Sequence, residues 1–555
     1  EIVFRMDGID QQNFMGIPAN TFVDKWTLKR VVFPTCMELI APYAFAGCGG
    51  LESIDVPNDS NLKSIGEQAF SKCSSLENLD LSSISSLYSI GTHAFYLCDN
   101  LRKVDLSDCS ALSFIGWNAF YSCVSLLSVD FSNCSSLTTI EKQTFDGCSA
   151  LETVVLTNCS GLTTIEQSAF RFTNLSGFDF SELSSLKTIG HGAFRETHFH
   201  GELVLNKHLQ NITSEAFAYC SGITFLKFES ESELKTLSSE AFASCYALKS
   251  VDFSNCNYLE TIENEAFKNC CSLSSITINN NRYISNDGVL FVVDGNTLLF
   301  YPYAKENESY TIPNSVQKIA SNAFNFTTWG YDYPISKLKD ITIPESVRSI
   351  ETDAFAGVVG KIIRLCAEVP IGLTGDIGLS GALVYVPKGS LSAYKQAAVW
   401  KTYTLFETGA KGTTVELMSA GTLASKLTGV DLGTIQELKV SGPMNTNDFE
   451  VIKQMTLLTK VDLSEATMEE NKLPNYAFSC FANDVEQLMA YLIEVILPEG
   501  ITEIGDGAFS YLYQLEKVNI PTSVERIGSE AFAHCHRFSS LDVSLLTNLK
   551  SIGRN

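Results

Sequence analysis

A short motif recurs through most of the chain at a nearly fixed interval. Its clearest copy joins Ala94-Phe95-x-x-Cys98 to Leu101-x-x-Val104-Asp105-Leu106, and the next copy begins 25 residues later. A period of this length predicts a solenoid, in which each repeat forms one coil. The phenylalanine of each copy, called the marker Phe below, stands at Phe22, Phe45, Phe70, Phe95, Phe120, Phe145, Phe170, Phe194, Phe217, Phe242, Phe267, Phe324, Phe355, Phe478, Phe509 and Phe532.

Each part of the repeat has a physical role. Val104 and Leu106 alternate with Asp105, as in a half-buried strand whose apolar side chains point inward. Coils stacked about 4.8 Å apart place these strands in one parallel sheet. The marker Phe fills the interior and stacks on the marker Phe of the next coil. One coil cannot bury its own apolar face, so stability comes from its neighbours.

The chain has 17 cysteines, and most of them follow the repeat. One set lies three residues after the marker Phe and a second set lies fourteen after it. Thr173 and Thr197 replace Cys in the first set, so the position requires a small, weakly polar side chain. A buried free Cys serves that purpose. Stacked neighbours could approach disulfide distance, but the odd total and the Thr replacements favour buried, reduced thiols.

The core Ile115-Gly116-x-x-Ala119-Phe120-x-x-Cys123 resembles the leucine-rich repeats of BspA-like bacterial surface proteins. The resemblance covers most of the chain. It implies a leucine-rich repeat fold, export, and an adhesive or binding role without enzymatic activity. It does not identify the ligand. We therefore expect an α/β-type, right-handed solenoid of 23–25-residue coils with a parallel sheet, an aromatic and helical cap, and a second, shorter array with an αβ N-terminal cap.

Changes in the pattern suggest where the units of the chain begin and end. Two strand-like runs, Val289 to Val293 and Thr297 to Tyr301, flank Asp294-Gly295-Asn296, which predicts a hairpin. The predicted units are a first array at 1–360 with a hairpin insert near 285–303, its C-terminal cap at 361–406, an αβ cap of a second unit at 407–457, and a second, apparently incomplete array at 458–555.

Two helices are expected in the cap segments. Ser390 can cap a helix whose inner face carries Leu391, Tyr394 and Ala398. Asn447, with Glu450 three residues later, marks the start of another. An aromatic-rich segment after the first helix would cover the end of the Phe stack.

Charge and hydropathy restrict the partners. The net charge of −24 leaves no basic surface for nucleic acid, and an anionic membrane would repel the chain. No apolar run is long enough to span a bilayer. The chain opens at Glu1 without a signal peptide, so we take it as a mature or trimmed form, exported by a signal not present in this chain to the cell surface or the extracellular space. We expect a monomer that takes a protein or glycan ligand.

Motifs that carry catalysis are absent. The sequence holds no nucleophile elbow, P-loop, dinucleotide fingerprint or His-Glu-x-x-His. His198-x-His200 and His534-Cys535-His536 offer possible metal ligands, but no third ligand is placed by spacing. We therefore expect no enzyme activity, no cofactor and no metal.

An Asp ladder is the most regular polar feature of the repeat. Each Asp lies between two inward strand residues and therefore points outward. Stacked carboxylates should repel one another, so something must compensate. Either the ladder is a ligand or cation face, or each Asp bonds the Ser two residues on and its backbone N–H. The ladder consists of Asp55, Asp80, Asp105, Asp130, Asp179 and Asp252, and we take Asp80, Asp105 and Asp130 as candidate ligand-binding residues.

A loop from Phe326 to Pro334 lengthens one coil and carries Trp329, Tyr331 and Tyr333. In an extended segment these alternate residues lie on one side, where they could anchor a protein or stack on a sugar. The alternative is a loop folded onto the neighbouring hairpin. The leading functional hypothesis is therefore a surface binding or adhesion protein. A glycan-capture protein that uses aromatic inserts, and a structural spacer for a further domain, are the alternatives.

Overall fold

The computed structural model describes residues 2–3, 15–82, 84–293, 296–327, 336–358, 361–409, 412–479, 489–538 and 540–555. The chain winds into a parallel β-solenoid, which confirms the predicted fold class. Up to residue 278 each regular coil contributes one three-residue and one two-residue strand. The strands are β1 (Ile2–Val3), β2 (Gly16–Ile17), β3 (Arg30–Val32), β4 (Leu39–Ile40), β5 (Ser53–Asp55), β6 (Ser64–Ile65), β7 (Asn78–Asp80), β8 (Ser89–Ile90), β9 (Lys103–Asp105), β10 (Phe114–Ile115), β11 (Ser128–Asp130), β12 (Thr139–Ile140), β13 (Thr153–Val155), β14 (Thr164–Ile165), β15 (Thr188–Ile189), β16 (His200–Leu205), β17 (Asn211–Ile212), β18 (Gly222–Phe228), β19 (Thr236–Leu237), β20 (Ser250–Asp252), β21 (Thr261–Ile262) and β22 (Ser275–Thr277).

The strands form two columns on different sides of the coil. In the first column, β7, β9, β11 and β13 pair in parallel, with Val104 beside Val129. In the second, the two-residue strands pair in the same way, with Ile90 beside Ile115. From β2 to β22 the inward strand residue is buried, apart from the half-buried Val154 in β13, because strand side chains alternate between the two faces.

The marker phenylalanines form a stack through the interior. Phe95, Phe120 and Phe145 are fully buried, as predicted. Their ring centroids lie 5.2 Å and 5.4 Å apart, and the rings are nearly parallel. The stack follows from the repeat, because each coil places its marker Phe at the equivalent position of the coil.

The cysteine ladders satisfy backbone carbonyl groups. The Cys98 thiol donates to the Phe70 carbonyl of the preceding coil at 3.2 Å. Thr173 instead donates to the Phe170 carbonyl of its own coil, at 2.9 Å. The position therefore requires a small donor, which both residue types provide. The cysteines that the structure describes are free, and most are buried, which confirms the prediction for them.

The predicted strands of the insert pair in antiparallel fashion, and a third strand before them was not predicted. It pairs with Val289–Val292 across Asp287 and Gly288, both of which have positive φ. Strands and helices of residues 279–407 are β23 (Tyr283–Asn286), β24 (Val289–Val292), β25 (Thr297–Phe300), β26 (Ser309–Thr311), β27 (Lys318–Ile319), β28 (Asp340–Ile343), β29 (Ser349–Ile350), β30 (Ile362–Leu365), β31 (Gly372–Leu373), β32 (Leu383–Val386), α1 (Leu391–Gln396), a 3₁₀ helix (Trp400–Thr402) and β33 (Leu405–Glu407).

Helix α1 lies where the sequence predicts it, with two differences. Ser390 occupies the N-cap position, but its side chain makes no capping hydrogen bond because its backbone is already helical. Ala398 lies beyond the end of the helix. Tyr394 and Trp400 are buried and pack edge to face at 5.2 Å. Their role as a cap remains a prediction.

The last part of the chain starts with mixed elements and then returns to coils. The predicted helix start at Asn447 is wrong. Asn445 is the N-cap, and its backbone N–H donates to the Asp448 side chain. The capping box therefore begins at Asn445, two residues before the predicted start. The elements are β34 (Thr413–Glu416), α2 (Leu423–Lys426), a 3₁₀ helix (Leu432–Thr434), β35 (Glu437–Met444), α3 (Thr446–Ile452), β36 (Lys460–Met468), a 3₁₀ helix (Glu469–Asn471), β37 (Lys472–Leu473), β38 (Glu494–Ile496), β39 (Glu503–Ile504), β40 (Lys517–Asn519), β41 (Arg526–Ile527), a 3₁₀ helix (Val543–Leu545) and β42 (Ser551–Ile552).

The two arrays touch near the predicted boundary at Glu407. The Tyr491 hydroxyl donates to the Thr404 hydroxyl at 3.0 Å, and the Tyr491 ring packs edge to face on Phe406. The boundary itself remains a prediction. No helix in the described ranges is both long and apolar enough to cross a membrane.

Candidate functional site

The sheet formed by β7, β9, β11 and β13 presents a row of carboxylates. Asp80, Asp105 and Asp130 end three consecutive strands and are direct neighbours in the parallel register. Asp80 is exposed, and the other two are half-buried. The fold therefore brings the three candidate Asp residues together on one outward face. We call them the Asp row.

Local hydrogen bonds hold these carboxylates in place. Asp105 Oδ1 accepts from the Ser107 N–H at 3.1 Å and from the Ser107 hydroxyl at 2.7 Å. Asp130 is bonded in the same way by Ser132, at 2.8 Å and 2.6 Å. These are the bonds expected if each Asp serves its own turn. They use only Oδ1 of each carboxylate, so Oδ2 is left for contacts with other groups.

Lys103 partly compensates the negative charge of the Asp row. Lys103 Nζ lies 2.9 Å from Asp105 Oδ2. Burial tends to raise the pKa of Asp105, but the bonds from Ser107 and Lys103 outweigh it, so the pKa lies below its ordinary value. The pKa of Lys103 is raised by its bond to Asp105 and by the charges of Asp80 and Asp130. The central carboxylate is therefore ionised at neutral pH.

The histidine pairs occupy separate environments. His198 Nδ1 lies 3.3 Å from the Thr173 carbonyl. His534 and His536 stack on Tyr511 and Tyr513, with centroids 4.4 Å and 5.4 Å apart. Across the described residues, no three His, Cys, Asp or Glu side chains are grouped so that they could hold a metal ion.

The candidate aromatic loop falls outside the described residues. Trp329, Tyr331 and Tyr333 all belong to the segment 328–335, so their role remains a prediction.

A second aromatic group was missed by the sequence analysis. Tyr88, Phe114 and Trp117 are 50%, 43% and 52% exposed. Tyr88 directly precedes β8, Phe114 begins β10 and Trp117 lies in the turn after β10. The Phe114 N–H donates to the Tyr88 carbonyl at 3.3 Å. We call these three residues the aromatic patch. The sequence signal was an aromatic residue at an outward position, because the coils on either side carry Lys or Ser where Tyr88 stands and Ser or Thr where Phe114 stands.

Contacts fix the Trp117 ring of the aromatic patch. Its Nε1–H donates to Glu141 Oε2 at 2.9 Å, and Lys142 Nζ lies 5.4 Å from the ring centroid. The indole is therefore held in a defined orientation while half of its surface stays open. Such a ring can take a partner at little entropic cost.

The repeat of this chain matches a known family of sequences. The sequence profile of the BspA type leucine rich repeat region (6 copies) matches residues 15–152, 83–199, 163–289, 299–369 and 472–555. No curated protein matches the chain.

Solved structures with a similar fold include three bacterial proteins. A leucine-rich repeat protein from Bacteroides ovatus ATCC 8483 is 20% identical, with a TM-score of 0.46 over 71% of this chain and 87% of that one. A leucine rich cell surface protein from Faecalibacterium prausnitzii A2-165 is 19% identical, with a TM-score of 0.27 over 94% and 90%. The pneumococcal vaccine antigen PcpA is 17% identical, with a TM-score of 0.30 over 98% and 92%.

Proposed function

Because the chain belongs to the BspA-type leucine-rich repeat family, we propose that it is a non-enzymatic binding or adhesion protein. It acts at the cell surface or outside the cell and recognises a host or matrix macromolecule. The family match supports a binding role, and the identity of the target rests on the surface chemistry of this chain.

The observation that carries the proposal is the Asp row. Three in-register carboxylates stand on the outward face of a rigid sheet, and Lys103 makes an ion pair with only the middle one. Neighbouring like charges on one sheet face are unfavourable without a counter-charge. A partner with a basic surface would supply that counter-charge, and the net charge of −24 would attract it over a longer range.

The test measures binding to immobilised matrix proteins at several salt concentrations. We expect binding that weakens as salt rises, because exposed charges are screened. The triple variant Asp80→Asn, Asp105→Asn, Asp130→Asn should lose binding. The matched control, Glu182→Gln, Glu231→Gln, Glu260→Gln, removes the same charge from exposed positions outside the row. Equal loss in both variants would mean that net charge, and not the Asp row, drives binding.

Glycan capture is the second candidate, because the aromatic patch exposes three rings on the array. Exposed, oriented aromatic rings suit the apolar face of a sugar. The predicted loop rings Trp329 and Tyr331 would act in the same way. A glycan array separates the two functions. Glycan binding should be lost in Trp117→Ala if the patch is used, or in Trp329→Ala, Tyr331→Ala if the loop is used. The melting temperature should stay unchanged in both cases.

A further inference from the structure

One coil interrupts the column of three-residue strands. Between β13 and β16 the chain forms β14 and β15 of the second column, but residues 171–187 form no strand of the first column. Two residues separate Cys148 from Leu151 in the regular coil, but only Asn174 separates Thr173 from Leu175. The next coil has the same short connection at His198, yet it forms β16. Residues 176–181 form no strand, so β13 and β16 each end a sheet.

The interruption leaves backbone groups of β16 without partners. The His200 N–H bonds the Ser176 carbonyl of the preceding coil at 3.4 Å. A register shift with positive φ at Gly201 follows His200, so the orientation of the next residues is read from Leu205, whose carbonyl accepts from the Glu229 N–H of the following coil at 3.0 Å. Successive strand residues face opposite neighbours, so Glu202 and Val204 present their N–H and C=O groups to the preceding coil. Neither Glu202 nor Val204 makes a backbone hydrogen bond to the described residues 176–181 of the preceding coil.

The edge of β13 that faces residues 176–181 also lacks backbone hydrogen bonds. In the regular coils the residue after the strand bonds the next coil, as the Phe131 N–H does to the Val155 carbonyl at 2.9 Å. Leu156, which holds the equivalent position one coil later, makes no such bond to the described segment 176–181. Both edges of the gap are therefore open.

A cleft of about 260 Å³ lies along β16. Residues 176–181 form one wall, and the edge of β16 forms the other. Phe178 is half-buried and Val204 is 44% exposed, so apolar surface is accessible in the cleft. Asp179, Glu202 and Glu229 supply three acidic side chains to its lining.

We propose that the open edge of β16 binds an extended peptide segment that carries a basic side chain. An exposed strand edge is a template for another strand, and proteins usually cover or blunt it. Here the edge opens into an apolar, acid-lined cleft, which suits strand addition by a partner. Main-chain bonds to Glu202 and Val204 hold the segment, and its basic side chain reaches Asp179 and Glu202.

The other edge of β16 shows that such pairing is favourable. There β18 pairs with β16 in parallel, and Lys227 of β18 forms an ion pair with Glu202 at 3.0 Å. A heptapeptide with the sequence of β18, Gly-Ile-Thr-Phe-Leu-Lys-Phe, is therefore a suitable probe. The open edge lies outside the Asp row, so peptide binding does not depend on whether the row takes a partner.

The first experiment measures the fluorescence anisotropy of this labelled heptapeptide with the full chain. We expect saturable binding, and a scrambled heptapeptide should bind at least tenfold more weakly. Two N-methylated versions block alternate amides. Strand pairing predicts that one set of N-methyl groups abolishes binding, because those amides would face β16. Binding that tolerates both sets would overturn the proposal.

The second experiment alters the edge itself. Val204→Pro removes the N–H that faces the cleft, and a proline is tolerated at a free strand edge. It should weaken heptapeptide binding at least tenfold, whereas Val204→Thr keeps the N–H and should not. If Val204→Pro disturbs folding, Asp179→Asn with Glu202→Gln provides an independent variant, expected to weaken binding severalfold and reduce its salt dependence. Unchanged binding in that variant would contradict the basic-side-chain requirement.

Self-association is the competing use of the open edge. Sedimentation of the full chain over a range of concentrations distinguishes it. A monomer that binds the heptapeptide supports the proposal. Dimerisation that Val204→Pro abolishes, without heptapeptide binding, would show that a second copy of the chain is the occupant and would overturn it.

Discussion

Replacing Phe120 by alanine tests how the solenoid is stabilised. Phe120 is fully buried and stacks on Phe95 at 5.2 Å and on Phe145 at 5.4 Å. Truncation removes about 100 Å² of buried apolar surface, worth about 2.5 kcal/mol. Two lost ring contacts add about 0.5–1.5 kcal/mol each. The expected total of about 3.5–5.5 kcal/mol is close to typical Phe→Ala losses of about 3–5 kcal/mol in cores.

The measurement must resolve single coils, because a repeat array does not unfold as one unit. Native-state hydrogen exchange reports the opening free energy of individual backbone amides. We expect Phe120→Ala to lower that free energy by about 3–5 kcal/mol in the coils that carry Phe95, Phe120 and Phe145. Distant coils should change much less, since each coil contacts only its neighbours.

Phe22→Ala is the matched control at a marker Phe that is less buried. Phe22 is only partly buried and stacks on Phe45 at 5.0 Å. Phe22→Ala should lower the opening free energy by about half as much as Phe120→Ala, because the Phe22 ring buries less apolar surface. Equal effects from both variants, or a loss below about 1 kcal/mol at Phe120, would refute the account of the stack as the main source of stability.

Three further outcomes follow from the structure. In a thiol titration at pH 8, Cys366 should react fast in the native chain because it is exposed, and Cys366→Ser should remove that phase. The buried thiols should react only after denaturation, since burial raises the pKa of Cys109 to about 12 and that of Cys159 to about 11. Asp105→Asn should destabilise the chain at pH 7, and this loss should shrink as the pH falls below about 3.9. The Asp105 pKa is lowered in the folded chain, so its contribution is present above its unfolded value of about 3.9 and is lost as pH falls through the folded value. Lys72 has φ +60°, so Lys72→Gly should raise the free energy of unfolding by up to about 1 kcal/mol, and Lys72→Val should lower it by a similar amount.

The repeat determines the fold on its own. The intervals between marker Phe residues set one coil per repeat, and the alternation around Val104 and Leu106 sets which side chains point inward. These are local, repeated signals, and neighbouring identical coils reinforce each of them. The free thiols could also be predicted, because Thr173 and Thr197 show which chemistry the Cys position accepts.

Side-chain capping was less predictable. Ser390 and Asn447 both fit an N-cap pattern, yet Ser390 makes no capping bond and Asn445 takes the role expected of Asn447. Several polar residues near a helix start can serve as caps. The backbone angle of each residue decides between them, and neighbouring elements set that angle.

The surfaces that could bind a partner depend on the tertiary structure. The exposure of Tyr88 and Phe114 follows from which side of the coil the two-residue strands occupy. The open edge of β16 exists because residues 176–181 form no strand beside it. Leu175, Phe178 and Phe180 nevertheless keep the apolar pattern of a repeat strand. The sequence of one coil cannot show this difference, because a strand in a stack must keep register with the coils on both sides.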